Sequence, residues 1–159
     1  MTSRIMVQLV MVLLFSGLAH AGSPARIELG EAEGSRGSSI NIPVILHKSE
    51  GVKIAAIGLD IIYDENVLEN PTVEAGPSAL SAEKSIIQNT VNDGIVRVGI
   101  ISMQNNKIIE DGVVANLKFV VKGKAETGVT KLTNNPSASD PQGNDIGNLA
   151  GSDGVISIK

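Results

Sequence analysis

Ile54-Ala55-Ala56-Ile57-Gly58-Leu59-Asp60-Ile61-Ile62-Tyr63-Asp64-Glu65-Asn66-Val67-Leu68 decides how this chain is read. Taken with a period of two, Ala55, Ile57, Leu59, Ile61 and Tyr63 form an apolar row. Ala56, Gly58 and Asp60 form the opposite row, which is small or polar. Strict alternation of this kind describes a strand with one side in a core and the other at the surface. The strand ends at Tyr63-Asp64, where an Asp side chain can accept from backbone N–H groups just ahead and turn the chain. Val67 and Leu68 then return beneath the sheet.

The same pattern repeats outward in both directions. Short Val/Ile-rich runs alternate with turn residues roughly every 8–12 positions, the rhythm of an all-β sandwich or barrel. Candidate strands are 25–29, 39–47, 54–63, 71–75, 85–91, 94–102, 112–122, 128–134 and 154–159. Ile40, Ile42, Val44 and Leu46 share a face, and Pro43, which cannot donate to a ladder, places that strand at an edge or at a bulge. Val96, Val98 and Ile100 point inward, with Arg97 and Gly99 opposite. Val113, Ala115, Leu117, Phe119 and Val121 also point inward, with Asn116, Lys118 and Lys122 outward. Asn92-Asp93-Gly94 reads as a tight hairpin. Gly34-Ser35-Arg36-Gly37 reads as a loop; Ser78 to Lys84 has room for one or two helical turns and Asn106 to Glu110 for another, but both read as loops. Pro136 to Gly151, rich in Asn, Asp, Gly and Ser, reads as the most mobile stretch.

Residues 1–21 carry Arg4, an apolar run from Ile5 to Leu18, and Ala19-His20-Ala21. This is the pattern of a signal peptide cleaved after Ala21, and the run falls short of the ~20 residues of a spanning helix. Secretion to the periplasm or the extracellular medium is expected, with no membrane attachment after cleavage. Residues 22–159 suit one domain, with no further domain or repeat expected. There is no cysteine, which removes disulfides, thiolate metal sites and cysteine nucleophiles. The formal net charge is −4, and loss of Arg4 makes it one unit more negative. The basic residues form no stripe, so neither nucleic acid nor an anionic membrane is an expected partner.

Chemistry finds few footholds. The chain has one Tyr, two Phe and no Trp. Phe15 lies in the leader, so Tyr63 and Phe119 remain, both at core positions. Stacking on sugars or bases requires exposed aromatic faces. Beyond the leader His47 is the sole histidine, at a strand end beside Lys48, and no Gly-x-Ser-x-Gly elbow accompanies it. Asp140-Pro141-Gln142-Gly143-Asn144-Asp145 lacks the spacing of a calcium loop and reads as a turn. Gly34 and Gly37 are not followed by the residues of a phosphate cradle. No enzyme activity, metal or cofactor is expected.

Several motifs, in order, resemble bacterial cohesin modules. They are Ile27-Glu28-Leu29-Gly30, Ile40-Asn41-Ile42-Pro43-Val44, Ile57 to Leu68, Asn92-Asp93-Gly94-Ile95-Val96, Asp111 to Phe119, Asp140 to Ile146, and Asp153 to Ile158. The resemblance implies a nine-stranded jelly-roll β-sandwich without catalytic activity, which binds a dockerin, a small calcium-loaded helical module, through one flat sheet face. It places that face on Ala56, Gly58 and Asp60, on Gln88 and Thr90, and on Arg97, Gly99 and Ile101. The register of 85–91 leaves Ile87, Asn89 and Val91 as the alternative set. Dockerin-binding cohesins of the common type carry polar residues where Ala56 and Gly58 stand, so the resemblance implies either a divergent dockerin-like partner or a fold kept for another purpose. The alternative function is a carbohydrate-binding module of related jelly-roll fold, with a polysaccharide as ligand.

Overall fold

A computed structural model describes residues 24–159; the leader segment lies outside them. Among these residues eleven strands and one short helix are formed: β1 (Arg26–Leu29), β2 (Glu31–Gly34), β3 (Ser39–His47), β4 (Ala56–Ile62), β5 (Leu68–Ala75), α1 (Pro77–Ser81), β6 (Ser85–Asn92), β7 (Ile95–Ile101), β8 (Gly112–Val121), β9 (Gly128–Ser139), β10 (Ala150–Ser152) and β11 (Gly154–Ile158). They make two sheets, ordered β10-β1-β3-β8-β5 and β2-β11-β9-β4-β7-β6. The nine expected strands become eleven because the first and last are each shared between the two sheets. β1 pairs with β3 in one sheet, and after Gly30 the chain continues as β2 beside β11 in the other. The last strand does the same at Asp153, from β10 beside β1 to β11 beside β9.

Such a crossing is possible only where backbones come close. A Cβ on Gly30 would stand 2.7 Å from Pro43 Cγ, and one on Gly154 would stand 2.9 Å from the Gly30 carbonyl oxygen. Glycine is required at both points because nothing larger fits. Pro43 is explained by the same event. β3 lies inside its sheet rather than at an edge, but β1 leaves it at Gly30, whose N–H donates to the Pro43 carbonyl at 2.9 Å. A register shift between Val44 and Ile45 follows at once.

Between the sheets the alternation does what a pleated strand requires. Ile57, Leu59 and Ile61 of β4, Val96, Val98 and Ile100 of β7, and Leu117, Phe119 and Val121 of β8 are all buried. The Tyr63 and Phe119 rings meet at 5.0 Å between centroids with planes inclined by 58°, a tilted contact favourable to both quadrupoles. The Asp64 carboxylate accepts from the Asn66 N–H at 2.8 Å, closing the turn after β4. Gly94, at φ +83°, closes the β6–β7 hairpin.

Four sequence expectations change. Val113 is half-buried and Val114 buried instead, because the shift opposite Val44 displaces β8 by one residue. Ser78 to Lys84 contains α1 rather than only loop: Pro77 pre-sets the first turn, and Ala79 is buried under it. Residues 31–34, outside every expected strand, form β2 through pairing with β11. The stretch from Pro136 to Gly151 is not one loop. β9 continues to Ser139 because residues 133–139 pair along the whole of β4, and Ala150 and Gly151 already belong to β10. In the loop between them Asp140 is fully engaged. Its Oδ1 accepts from the Gln142 and Asn144 N–H groups, and its Oδ2 accepts from Asn144 Nδ2. These bonds, the Asn144 side chain first, hold the carboxyl below the ordinary Asp range. Among the described residues no cluster of three His, Cys, Asp or Glu is placed to hold a metal ion.

Candidate docking face

The outer side of the second sheet is built by register. Gly58 lies opposite Gly99 on one side and Ser137 on the other, and Gly99 lies opposite Ile87. One row across four strands is therefore Ile87, Gly99, Gly58, Ser137. The next row is Asn89, Arg97, Asp60, Asn135. Two adjacent glycines remove the side chains from the middle of the first row. The result is a shallow trough of about 820 Å³, lined by Ala56, Gly58, Asp60, Arg97, Gly99 and Ile101 together with Ile87, Asn89, residues of β9 and, from the loop after β9, Gly143 and Asp145. Ile87, 55% exposed, forms an apolar bank on one side. Ser137 and Asn135 form a polar bank on the other.

The trough floor carries one charged pair. Arg97 Nε donates to Asp60 Oδ1 at 2.7 Å, and Arg97 Nη2 donates to Asp60 Oδ2 at 2.8 Å. This is the two-pronged geometry that guanidinium and carboxylate favour. The Arg97 hydrogen bond holds the Asp60 carboxyl below its ordinary range, and the same bond raises the Arg97 guanidinium further. These two charges neutralise each other within the face, and Asp145 is the other ionisable side chain lining the trough. What remains is small, flat and largely apolar, with amides and hydroxyls at its margin. Such a surface has the makings of a protein contact.

Six candidate residues come together here, and Gln88 and Thr90 do not. They lie opposite Val98 and Val96, whose side chains point into the core, so both belong to the other side of β6. Gln88 instead reaches across to the first sheet. Its Oε1 accepts from the Val73 N–H at 2.8 Å, and its Nε2 donates to the Pro71 carbonyl at 2.7 Å. It binds the edge of β5 as a neighbouring strand would. The alternative register of Ile87 and Asn89 is the one observed. The composition of β6 could not choose between the two, because apolar and polar residues occur on both of its sides.

Asn135, Ser137 and Ser139 escape sequence reasoning. Their alternation with buried Asn134 and Ala138 is visible in the sequence. Pro136 and the surrounding Asn and Ser make that stretch look like a turn, and only pairing with β4 reveals a strand. His47 stands apart, at the far end of β3 in the first sheet, with Nε2 3.1 Å from Glu28 Oε2.

A cohesin-domain family model matches residues 25–158, nearly all that the structure describes. The chain belongs to the cohesin family. Solved structures agree in fold. The sixth cohesin of scaffoldin B from Acetivibrio cellulolyticus, in complex with the Cel5 dockerin, superimposes with a TM-score of 0.72 at 24% identity, covering 86% of this chain and 100% of that one. A cohesin–dockerin complex from Clostridium thermocellum gives 0.73 at 20% identity, over 86% and 100% of the two chains. A non-cellulosomal cohesin from the archaeon Archaeoglobus fulgidus gives 0.70 at 27% identity, over 86% and 92%. Among curated proteins, "Cellulose-binding protein A" of Clostridium cellulovorans is 29% identical over 108 residues, which is 66% of this chain and 6% of that much longer protein. Cohesins are non-catalytic interaction modules whose characterised homologues bind dockerins.

Proposed function

We propose that this chain is a secreted, non-catalytic adhesion module that captures a dockerin-like partner on the trough formed by β9, β4, β7 and β6. The observation that carries the reading is the paired Gly58 and Gly99 at the centre of the face. They leave room for a partner's backbone to lie against the sheet, with Ile87 and Ile101 as apolar anchors. The partner implied is a divergent, calcium-loaded dockerin, because Ala56 and Gly58 offer no side-chain hydrogen bonds. Backbone proximity and apolar contact would have to replace them. Secretion rests on the leader-like residues 1–21.

Gly99 is the better position for a test than Gly58. A Cβ at Gly99 would meet Ile87 at an ordinary 3.8 Å, whereas one at Gly58 would stand 2.7 Å from Ser137 Oγ. Titration calorimetry against dockerin modules encoded in the same genome, with calcium and with chelator, should give calcium-dependent binding. Gly99→Arg should weaken it at least about 100-fold, or about 2.7 kcal/mol. Undiminished binding by Gly99→Arg would remove the face from the interaction.

The carbohydrate-binding alternative finds little support. Tyr63 and Phe119 are the aromatic residues among those described, and they pack against each other. Retention of the chain on insoluble cellulose would nevertheless restore it.

A further inference from the structure

The connection from β7 to β8 is fixed by two features that each lower stability. Lys84, immediately before β6, is only 4% exposed. Its Nζ donates to Asn105 Oδ1 at 3.1 Å and to the Asn105 carbonyl at 3.4 Å. Among the described residues no carboxylate offsets this charge: burial, and then the Lys107 ammonium nearby, push the Lys84 pKa down. The adjacent Glu83 pairs with Lys107 instead. A buried cation with only neutral acceptors is unfavourable, and a methionine of similar length would fill the same space without the charge. Glu83 itself stands at φ +54°, in the left-handed region, where a residue other than glycine is strained. Both features converge on Asn105, whose Nδ2 donates to the Glu83 carbonyl at 3.5 Å and whose Oδ1 also accepts from the Lys107 N–H at 3.0 Å.

Asn105 stands at the end of the docking face. With Ser102 and Asn106 it forms one wall of a polar cleft of about 260 Å³, and Ser139, Gln142 and Gly143 form the other. The cleft is continuous with the trough, since Ala56, Ser139 and Gly143 line both. Its second wall is held by the Asp140 carboxylate, which accepts from the Gln142 and Asn144 N–H groups. The side chains of Asn106 and Gln142 make no hydrogen bond among the described residues. We propose that this cleft is a second subsite of the docking face, taking an uncharged polar side chain of the partner, and that Lys84 is the positioning residue that holds its first wall. The inference rests on the docking reading and extends it. The trough offers close approach and apolar contact, and the cleft offers the polar contact that Ala56 and Gly58 cannot. Amides both donate and accept, so Asn, Gln, Ser or Thr of the partner fits, and walls fixed in advance leave less to order on binding.

Lys84→Met keeps the unbranched stem and removes the charge with both hydrogen bonds. Its melting midpoint should be no lower than that of the unmodified chain. Amide hydrogen exchange through residues 102–107 should quicken at least about tenfold, and calorimetric affinity for dockerin modules encoded in the same genome should fall at least about tenfold. A purely structural lysine would lower the midpoint and leave affinity alone. Asn105→Ala opens the same latch from the loop side and should act alike on exchange and affinity. The double variant Asn106→Ala, Gln142→Ala should bind about tenfold more weakly, with exchange and midpoint unchanged. Docking lost in Gly99→Arg but kept in this double variant would remove the cleft and leave the face standing, whereas docking kept in both would remove face and cleft together. Unchanged exchange in Lys84→Met, or faster exchange with undiminished affinity, would overturn the role given to Lys84.

Discussion

The outer face of the first sheet and the β4–β7 part of the second sheet's outer face come from the same strand grammar and end up chemically opposite. On the first sheet the outward positions carry long polar side chains that pair along the surface. Lys118 Nζ donates to Glu74 Oε1 at 2.6 Å, Arg26 to Glu28 at 3.1 Å, and Asn41 Nδ2 to Asn116 Oδ1 at 3.4 Å. On the second sheet the outward positions of β4 and β7 are Ala56, Gly58, Ile62, Ile95, Gly99 and Ile101, with a single internally neutralised pair, Asp60 and Arg97. A face covered by solvated chains resists close approach, since each would have to be desolvated and ordered. A face without them leaves little to displace. The difference teaches that the inner pattern defines the fold, while the outer pattern decides which side of it meets another protein.

The comparison can be broken at several levels. The largest expected effect concerns what the two sheets share. Phe119→Ala should cost about 3–5 kcal/mol in urea denaturation, through lost burial and the cavity left against Tyr63. A loss under about 1 kcal/mol would mean that the interface between the sheets is not the source of stability.

Gln88→Ala sharpens the boundary between fold and face. It removes two hydrogen bonds to β5 and should lower stability by about 1–2 kcal/mol, while partner affinity in calorimetry stays unchanged. A drop in affinity without loss of stability would return Gln88 to the docking surface.

Asp60 gives the pH dependence. Its folded pKa is depressed by the Arg97 hydrogen bond. The stabilisation is therefore complete above the unfolded-chain value and is lost as pH falls through the lower folded value. In an acid titration of the melting midpoint, the unmodified chain should lose more than Asp60→Asn below the ordinary aspartate range. Parallel curves would show that the pair contributes nothing to stability. Solvent screening keeps the effect small, since the Asp60 and Arg97 side chains are 33% and 62% exposed.

The smallest effect is expected on the opposite face. Lys118→Ala should change stability by less than about 0.5 kcal/mol and leave partner binding as it is. Weakened capture would mean that the polar face takes part.

The buried positions of β4 and β7 were legible in the sequence because burial on one side imposes a period of two, and any slip would turn the core outward. Ala56, Gly58 and Asp60 followed from that, as did Arg97, Gly99 and Ile101. β6 was not legible in the same way. Its inner positions contribute little to the core, so Ile86 and Thr90 on one side and Ile87 and Val91 on the other gave no decisive contrast. Asn135 and Ser137 stayed hidden for a related reason: β9 is a strand at Pro136 only because β4 lies alongside it.

Alternation of aliphatic residues, the turn residues between runs, and the near absence of aromatics and histidine are local properties. They were enough to establish a β-sandwich with one unusually bare strand surface. Which strands stand beside that one and which side of β6 joins it depend on pairing between segments far apart in the chain. Backbone hydrogen bonds are the same for every residue type, so those choices are made by packing of the whole domain and appear only in three dimensions.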